Sequence, residues 1–140
     1  MPGRTPAEAV KAYRLPLQEA ICCIDLHAVI SASGRIVGLE QVLVLAQPPA
    51  KLNGTGGLTL DISQRYEIIP YKTGREKWRV TTRGYSYIVR DGTNRDLFIY
   101  QWHPAGLSHV TSPHLHIGAG ASVDTVKAAN GGHLKTGQRK

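Results

Sequence analysis

The sequence predicts an α+β domain: a twisted antiparallel β-sheet of about five or six strands with an N-terminal helix packed on it. Three observations carry that expectation. A helix start, Thr5-Pro6-Ala7-Glu8, opens the chain, and the patterned segments up to Ile117 are β-like. Those segments are joined by turns containing Gly, Pro and Asn, which favours antiparallel neighbours. The 140 residues fit one domain, 1–140, and 41% are hydrophobic, enough to bury a core without disulfide staples.

Thr5 is the expected N-cap, Pro6 fits the first turn, and Glu8 completes a T-x-x-E capping box. Pro16 is expected to end the helix. Residues 19–31 then read as a strand, from Ala20 to Ile30. Ser33-Gly34-Arg35 turns the chain, and Ile36 to Ala46 returns as its hairpin partner. His27 reads as a half-buried strand residue.

Gln47 to Gly57 holds two prolines and three glycines. It lacks the Gly-Lys-Ser/Thr ending of a phosphate-cradling loop, and no helix pattern follows, so it reads as a connector. Leu58 to Ile62 and Tyr66 to Ile69 form a strand with a break or bulge near Ser63-Gln64. Pro70 to Arg75 is a turn. Lys77 to Val89 is the next strand, kinked at Gly84, with Lys77, Arg79, Thr81 and Arg83 on one face. Asp91 to Asn94 is a turn, and Leu97 to Trp102 the partner strand. Residues 118–140 lose the pattern. They are expected as a flexible C-terminal tail, with a short helix over Val123–Ala129.

Net charge is +7, and its distribution is uneven. Residues 1–70 carry six basic and six acidic residues; residues 71–140 carry eleven basic and four acidic. The second half therefore holds the entire excess, which points to a polyanionic partner. No apolar run reaches the ~20 residues of a membrane span, and the first residues lack the apolar core of a signal peptide. A cytoplasmic location is expected. The adjacent Cys22 and Cys23 have neither disulfide geometry nor metal-site spacing, and read as buried thiols.

Four of the six histidines fall within fourteen residues: His103, His109, His114 and His116. His114-Leu115-His116 in an extended segment places both imidazoles on one side. Such a pair supplies two ligands of a metal site, with His103 or His109 as a third, although the basic surroundings oppose a cation. It also supplies a general base and a general acid. RNA carries its own nucleophile, the 2′-hydroxyl. One histidine takes its proton, another protonates the leaving 5′-oxygen, and a cation stabilises the charged phosphorane. His114 and His116 are the candidate catalytic pair, with His103 able to replace either. Lys77, Arg79 and Arg83 are candidate phosphate contacts. Tyr85, Tyr87 and Trp102 are candidate stacking platforms for an unpaired base. That chemistry requires no metal or other cofactor.

The run Tyr85-Ser86-Tyr87, Phe98-Ile99-Tyr100-Gln101-Trp102-His103-Pro104 and Pro113-His114-Leu115-His116 resembles the small TumE-type toxins of type II toxin–antitoxin systems. The resemblance covers residues 77–117. It implies RNA as substrate and a helix-turn-helix antitoxin as protein partner. Where the family ending is richer in histidine and lysine this chain has Leu115, so an arginine must meet the transition-state charge.

The expected function is thus metal-independent RNA cleavage by a small basic protein. A non-catalytic module binding RNA or a protein through the same surface is the alternative, and a metal-dependent hydrolase the third reading.

Overall fold

The computed structural model describes residues 2–52, 54–105, 110–118 and 120–121. Pro2–Gly3 forms a two-residue strand, β1, before helix α1, Pro6–Cys22. Thr5 caps the helix, its Oγ1 accepting from the Glu8 amide at 3.1 Å, while Glu8 Oε2 accepts from the Arg4 amide at 2.9 Å.

The helix does not stop at Pro16. It continues six residues further, through the segment expected to begin the first strand. The reason is packing. Val10, Tyr13, Leu17 and Ile21 recur at helical spacing and all meet the core, and that buried stripe outweighs the one backbone bond that proline removes. Gln18 secures the far end. Its Nε2 donates to the Ala28 carbonyl at 2.9 Å, and its Oε1 accepts from the Ile30 amide at 2.8 Å. Two smaller expectations fall with the strand. Cys22 ends the helix and Cys23 is its exposed C-cap, neither fully buried. His27 is exposed in the following turn rather than half-buried in a strand.

The hairpin after the helix is shorter than expected: β2 is Ile30–Ala32 and β3 is Glu40–Leu45, joined by residues 33–39. A two-residue β4, Ala50–Lys51, lies within the proline-glycine connector. Strand β5 is Thr59–Thr73 and β6 is Glu76–Arg90, a long hairpin that continues through the expected turn at Pro70. Strand β7 is Asp96–Trp102 and β8 is His114–Ile117.

The sheet has eight strands rather than five or six. Its path is β2-β3-β5-β6-β7-β8, open at both ends, with β1 added to β6 and β4 to β5. The excess is those two short additions, whose two-residue lengths leave no periodicity to read. The named strands pair antiparallel throughout.

Helix α1 packs on one side of the sheet. Ile30, Leu43, Leu45, Ile62, Tyr66, Ile68 and Val80 join Ala9, Val10 and Ile21 in the core. Burying each large aliphatic side chain contributes roughly 1.5–3 kcal/mol. No helix packs on the far side among the described residues. No break interrupts β5 at Ser63-Gln64, but its pairing with β6 shifts register close by, between Arg65 and Tyr66. The irregularity lies on β6, where Arg65 pairs with Gly84 and Tyr66 with Thr82, leaving Arg83 as the extra residue of a bulge. The alternation of β6 therefore inverts at Arg83. Trp78, Val80 and Thr82 face the helix before it; Tyr85, Tyr87 and Val89 do so after it.

The expected tail over 118–140 lies outside the described residues except for Gly118, Gly120 and Ala121. Gly118 and Gly120 are bonded to β7, with Gly118 N–H donating to Leu97 O at 2.7 Å and Gly120 N–H to Asp96 O at 3.1 Å. The short helix expected over Val123–Ala129 also lies outside them.

Candidate nucleic-acid interface

Residues directly opposed across a strand pair share a face. Gln101 opposes His114 and Ile99 opposes His116. Ser86 opposes Gln101, and Ser63 opposes Ser86. Both histidines, Gln101 and Arg65 therefore stand on the far side, away from α1. Before the bulge, Lys77 and Arg79 project to that same side.

The two imidazoles meet edge to face with centroids 4.7 Å apart. Their Nε2 atoms converge on the Gln101 amide nitrogen, at 3.2 Å for His114 and 3.0 Å for His116. Nδ1 of His114 lies 2.8 Å from the Ser112 carbonyl oxygen. That oxygen only accepts, so Nδ1 carries the hydrogen and Nε2 accepts from Gln101. The second Gln101 N–H serves His116 in the same way.

His103 sits just past the end of β7, with Nδ1 3.3 Å from Arg65 Nη2. Arg65 also pairs with Glu40 at 3.1 Å. A glycine makes this reach possible. A Cβ at Gly84 would lie 2.5 Å from Arg65 Nη2 and 2.8 Å from the Trp102 carbonyl oxygen. Arg83 pairs with Glu67 at 2.6 Å. Arg79 lies over the Tyr71 ring, 5.4 Å from its centroid. Among the described residues, Lys77 and Arg79 form no ion pair.

The aromatic residues are elsewhere. Tyr85 opposes Trp102, Tyr87 opposes Tyr100, and all four stand on the helix side. Tyr85 and Tyr87 stack at 5.2 Å, and Tyr85 lies 6.0 Å from Trp102. Beneath them runs a chain of polar contacts. Tyr87 O–H donates to Gln64 Oε1 at 2.5 Å, Gln64 Nε2 donates to Tyr13 Oη at 2.5 Å, and Tyr13 meets Thr82 Oγ1 at 2.7 Å. The adjoining Tyr100 phenol favours the neutral form of Tyr85 and, with desolvation, pushes its pKa up to about 12. Helix α1 stops short of β8, and Tyr100, Leu115 and Ile117 form an exposed apolar row.

The structure thus brings His103, His114, His116, Lys77, Arg79 and Arg83 to one side of the sheet. It places Tyr85, Tyr87 and Trp102 on the other, so they do not stack a base beside the histidine pair. The physical reason is the alternation of β7, which turns Gln101 away from Tyr100 and Trp102. His109 lies outside the described residues, and the described residues contain no group of three or more His, Cys, Asp or Glu placed to hold a metal ion. No helix in them is long and apolar enough to cross a membrane. Sequence reasoning missed Gln101 and Arg65 as members of the site. Gln101 was detectable as the neighbour of Trp102 on the opposite face; Arg65 carried no signal, because its access depends on a glycine nineteen positions away.

Compared with protein-family models, with curated proteins and with solved structures, the chain has no match. The likeness to TumE-type toxins therefore rests on the quoted residues.

Proposed function

We propose that this chain binds RNA through the far side of its sheet and cleaves it without a metal at the His114–His116 pair. The observation that carries the proposal is the shared face. Three histidines and the cations Lys77, Arg79, Arg83 and Arg65 stand on the side that no helix covers among the described residues, and all but Arg65 lie in the half of the chain with all the excess charge. Phosphate oxygens are met by such cations. The 2′-hydroxyl supplies the nucleophile, and two imidazoles supply the proton transfers. Substrate must first displace the Gln101 amide, which engages both Nε2 atoms.

That engagement also favours a second reading, RNA binding without cleavage, because neither Nε2 is free while Gln101 holds it. One experiment separates the two. Purified protein is incubated with RNA in EDTA. Cleavage that disappears in His114→Ala and His116→Ala, with RNA affinity retained, supports the nuclease. Retained affinity without cleavage by the unaltered protein supports the binding module. Loss of affinity in neither Lys77→Ala nor Arg79→Ala removes the far side as the interface.

The toxin role and its helix-turn-helix antitoxin belong to the same proposal, supported by the motif likeness and by the exposed Tyr100, Leu115 and Ile117. Growth arrest on expression, relieved by a neighbouring reading frame, tests it.

A further inference from the structure

A cleft of about 340 Å³ opens between α1 and the outer edge of β2, within the lower range of small-molecule sites. Its charged lining is Lys11 and Arg14 from one turn of the helix, Arg35 from the loop opposite, and Glu8. Among the described residues Lys11, Arg14 and Arg35 form no ion pair. Arg14 is oriented by Nη1 donating to the Ile30 carbonyl at 3.3 Å. Glu8 is already committed to the helix start, accepting from the Arg4 amide.

The Arg35 backbone is fixed from both sides by buried residues. Before it, the Gly34 carbonyl accepts from the Tyr66 hydroxyl at 2.5 Å. After it, Gln41 accepts from the Ile36 amide at 3.1 Å and donates to the Ile36 carbonyl at 2.7 Å. Tyr66 is 0% exposed and Gln41 8%. Two interior polar side chains thus hold an exposed loop in place, with its arginine across from two helix cations. The strand edge adds a donor. The Ile30 amide is taken by Gln18, and the period of two turns the Ala32 amide toward the same edge.

We propose that this cleft binds the phosphate group of a small phosphorylated molecule, held by Lys11, Arg14 and Arg35. Two guanidinium forks, an ammonium and an edge amide suit an anion with several acceptor oxygens and more than one charge. A monocarboxylate offers two oxygens and one charge and fits the set less well. Small Ala7, Val10 and Ala32 leave room for the rest of such a molecule. The site lies on the helix side and is independent of the RNA-binding face.

The test is titration of the isotope-labelled full chain with inorganic pyrophosphate and with ribose 5-phosphate at constant ionic strength, followed by amide NMR. The expected result is saturable shifts at Lys11, Ala32 and Arg35. Binding weakens about tenfold or more in Lys11→Ala and in Arg35→Ala, the loss for one charge-assisted hydrogen bond. Arg75→Ala, in the turn between β5 and β6, leaves the affinity unchanged. Both altered residues in the cleft are exposed, so the fold is retained, and the amide spectrum checks that directly. Absence of saturable shifts, equal loss of affinity in Arg75→Ala, or unchanged affinity in both cleft variants overturns the proposal.

Discussion

The Arg65 guanidinium reaches the His103 imidazole, 3.3 Å away, by crossing the bare backbone of Gly84. A methyl group there would press on Arg65, which can swing aside, and on the Trp102 carbonyl oxygen, 2.8 Å away, which moves only with its strand. Gly84→Ala is expected to cost roughly 1–3 kcal/mol, the usual range for forced overpacking, seen as a lower urea midpoint. In an Arg65→Ala background the cost shrinks but persists, because the carbonyl clash remains. Equal cost in both backgrounds would show that Arg65 does not occupy the space above Gly84.

The hydrogen-bond partners fix opposite tautomers on two nearby histidines. His114 Nδ1 donates to the Ser112 carbonyl. His103 Nδ1 accepts from Arg65, which only donates, so the neutral ring carries its hydrogen on Nε2. Ring-nitrogen NMR of the neutral protein is expected to show His114 protonated at Nδ1 and His103 at Nε2. Arg65→Met releases His103 into a tautomer mixture and leaves His114 unchanged. The reverse assignment in the unaltered protein would remove the Gln101 and Arg65 contacts from the site.

Gln41 holds the 33–39 loop through three hydrogen bonds, to the Ile36 amide and to the carbonyls of Ile36 and Leu39. Gln41→Leu keeps the size but deserts all three partners. The expected loss is about 1–3 kcal/mol, with faster hydrogen exchange at the Ile36 amide. Unchanged exchange there would mean that the loop is held by other contacts.

The α+β architecture and the later strands were legible because apolar and polar residues alternate between turns, so that Lys77 and Arg79 could be assigned to one face from period alone. The region from Ala20 to Ile24 was not, because an apolar run fits a buried helix as well as a strand, and Pro16 hid the Val10-Tyr13-Leu17-Ile21 stripe. The site was half legible. H-x-H spacing put His114 and His116 on one side, and strand period put Lys77, Arg79 and Arg83 on one side; that the two groups share a side follows only from the register across β5 to β8. Tyr85 and Tyr87 turn to the opposite face from Lys77 and Arg79 because one extra residue at Arg83 inverts the register. Gly84 marked an irregularity at this place, but that it is a one-residue bulge at Arg83 follows only from the pairing with β5.

Asp91 provides a pH test of the turn between β6 and β7. Its carboxylate is held down at about 2, first by the Arg95 amide and, against the opposing effect of burial, by the Thr93 hydroxyl and amide and the Arg95 guanidinium. Oδ1 accepts from the Thr93 amide at 2.9 Å and the Arg95 amide at 2.9 Å, and Oδ2 from Arg95 Nε at 2.9 Å. An unfolded aspartate takes its proton near pH 4. Between about pH 4 and 2 the unfolded chain binds more protons than the folded one, so stability present above pH 4 falls as the pH is lowered. Asp91→Asn loses that contribution at every pH. The urea midpoints of the two proteins are therefore expected to differ most at neutral pH and to converge toward pH 2. A constant difference across that window would show that the charge of Asp91 is not what the turn uses.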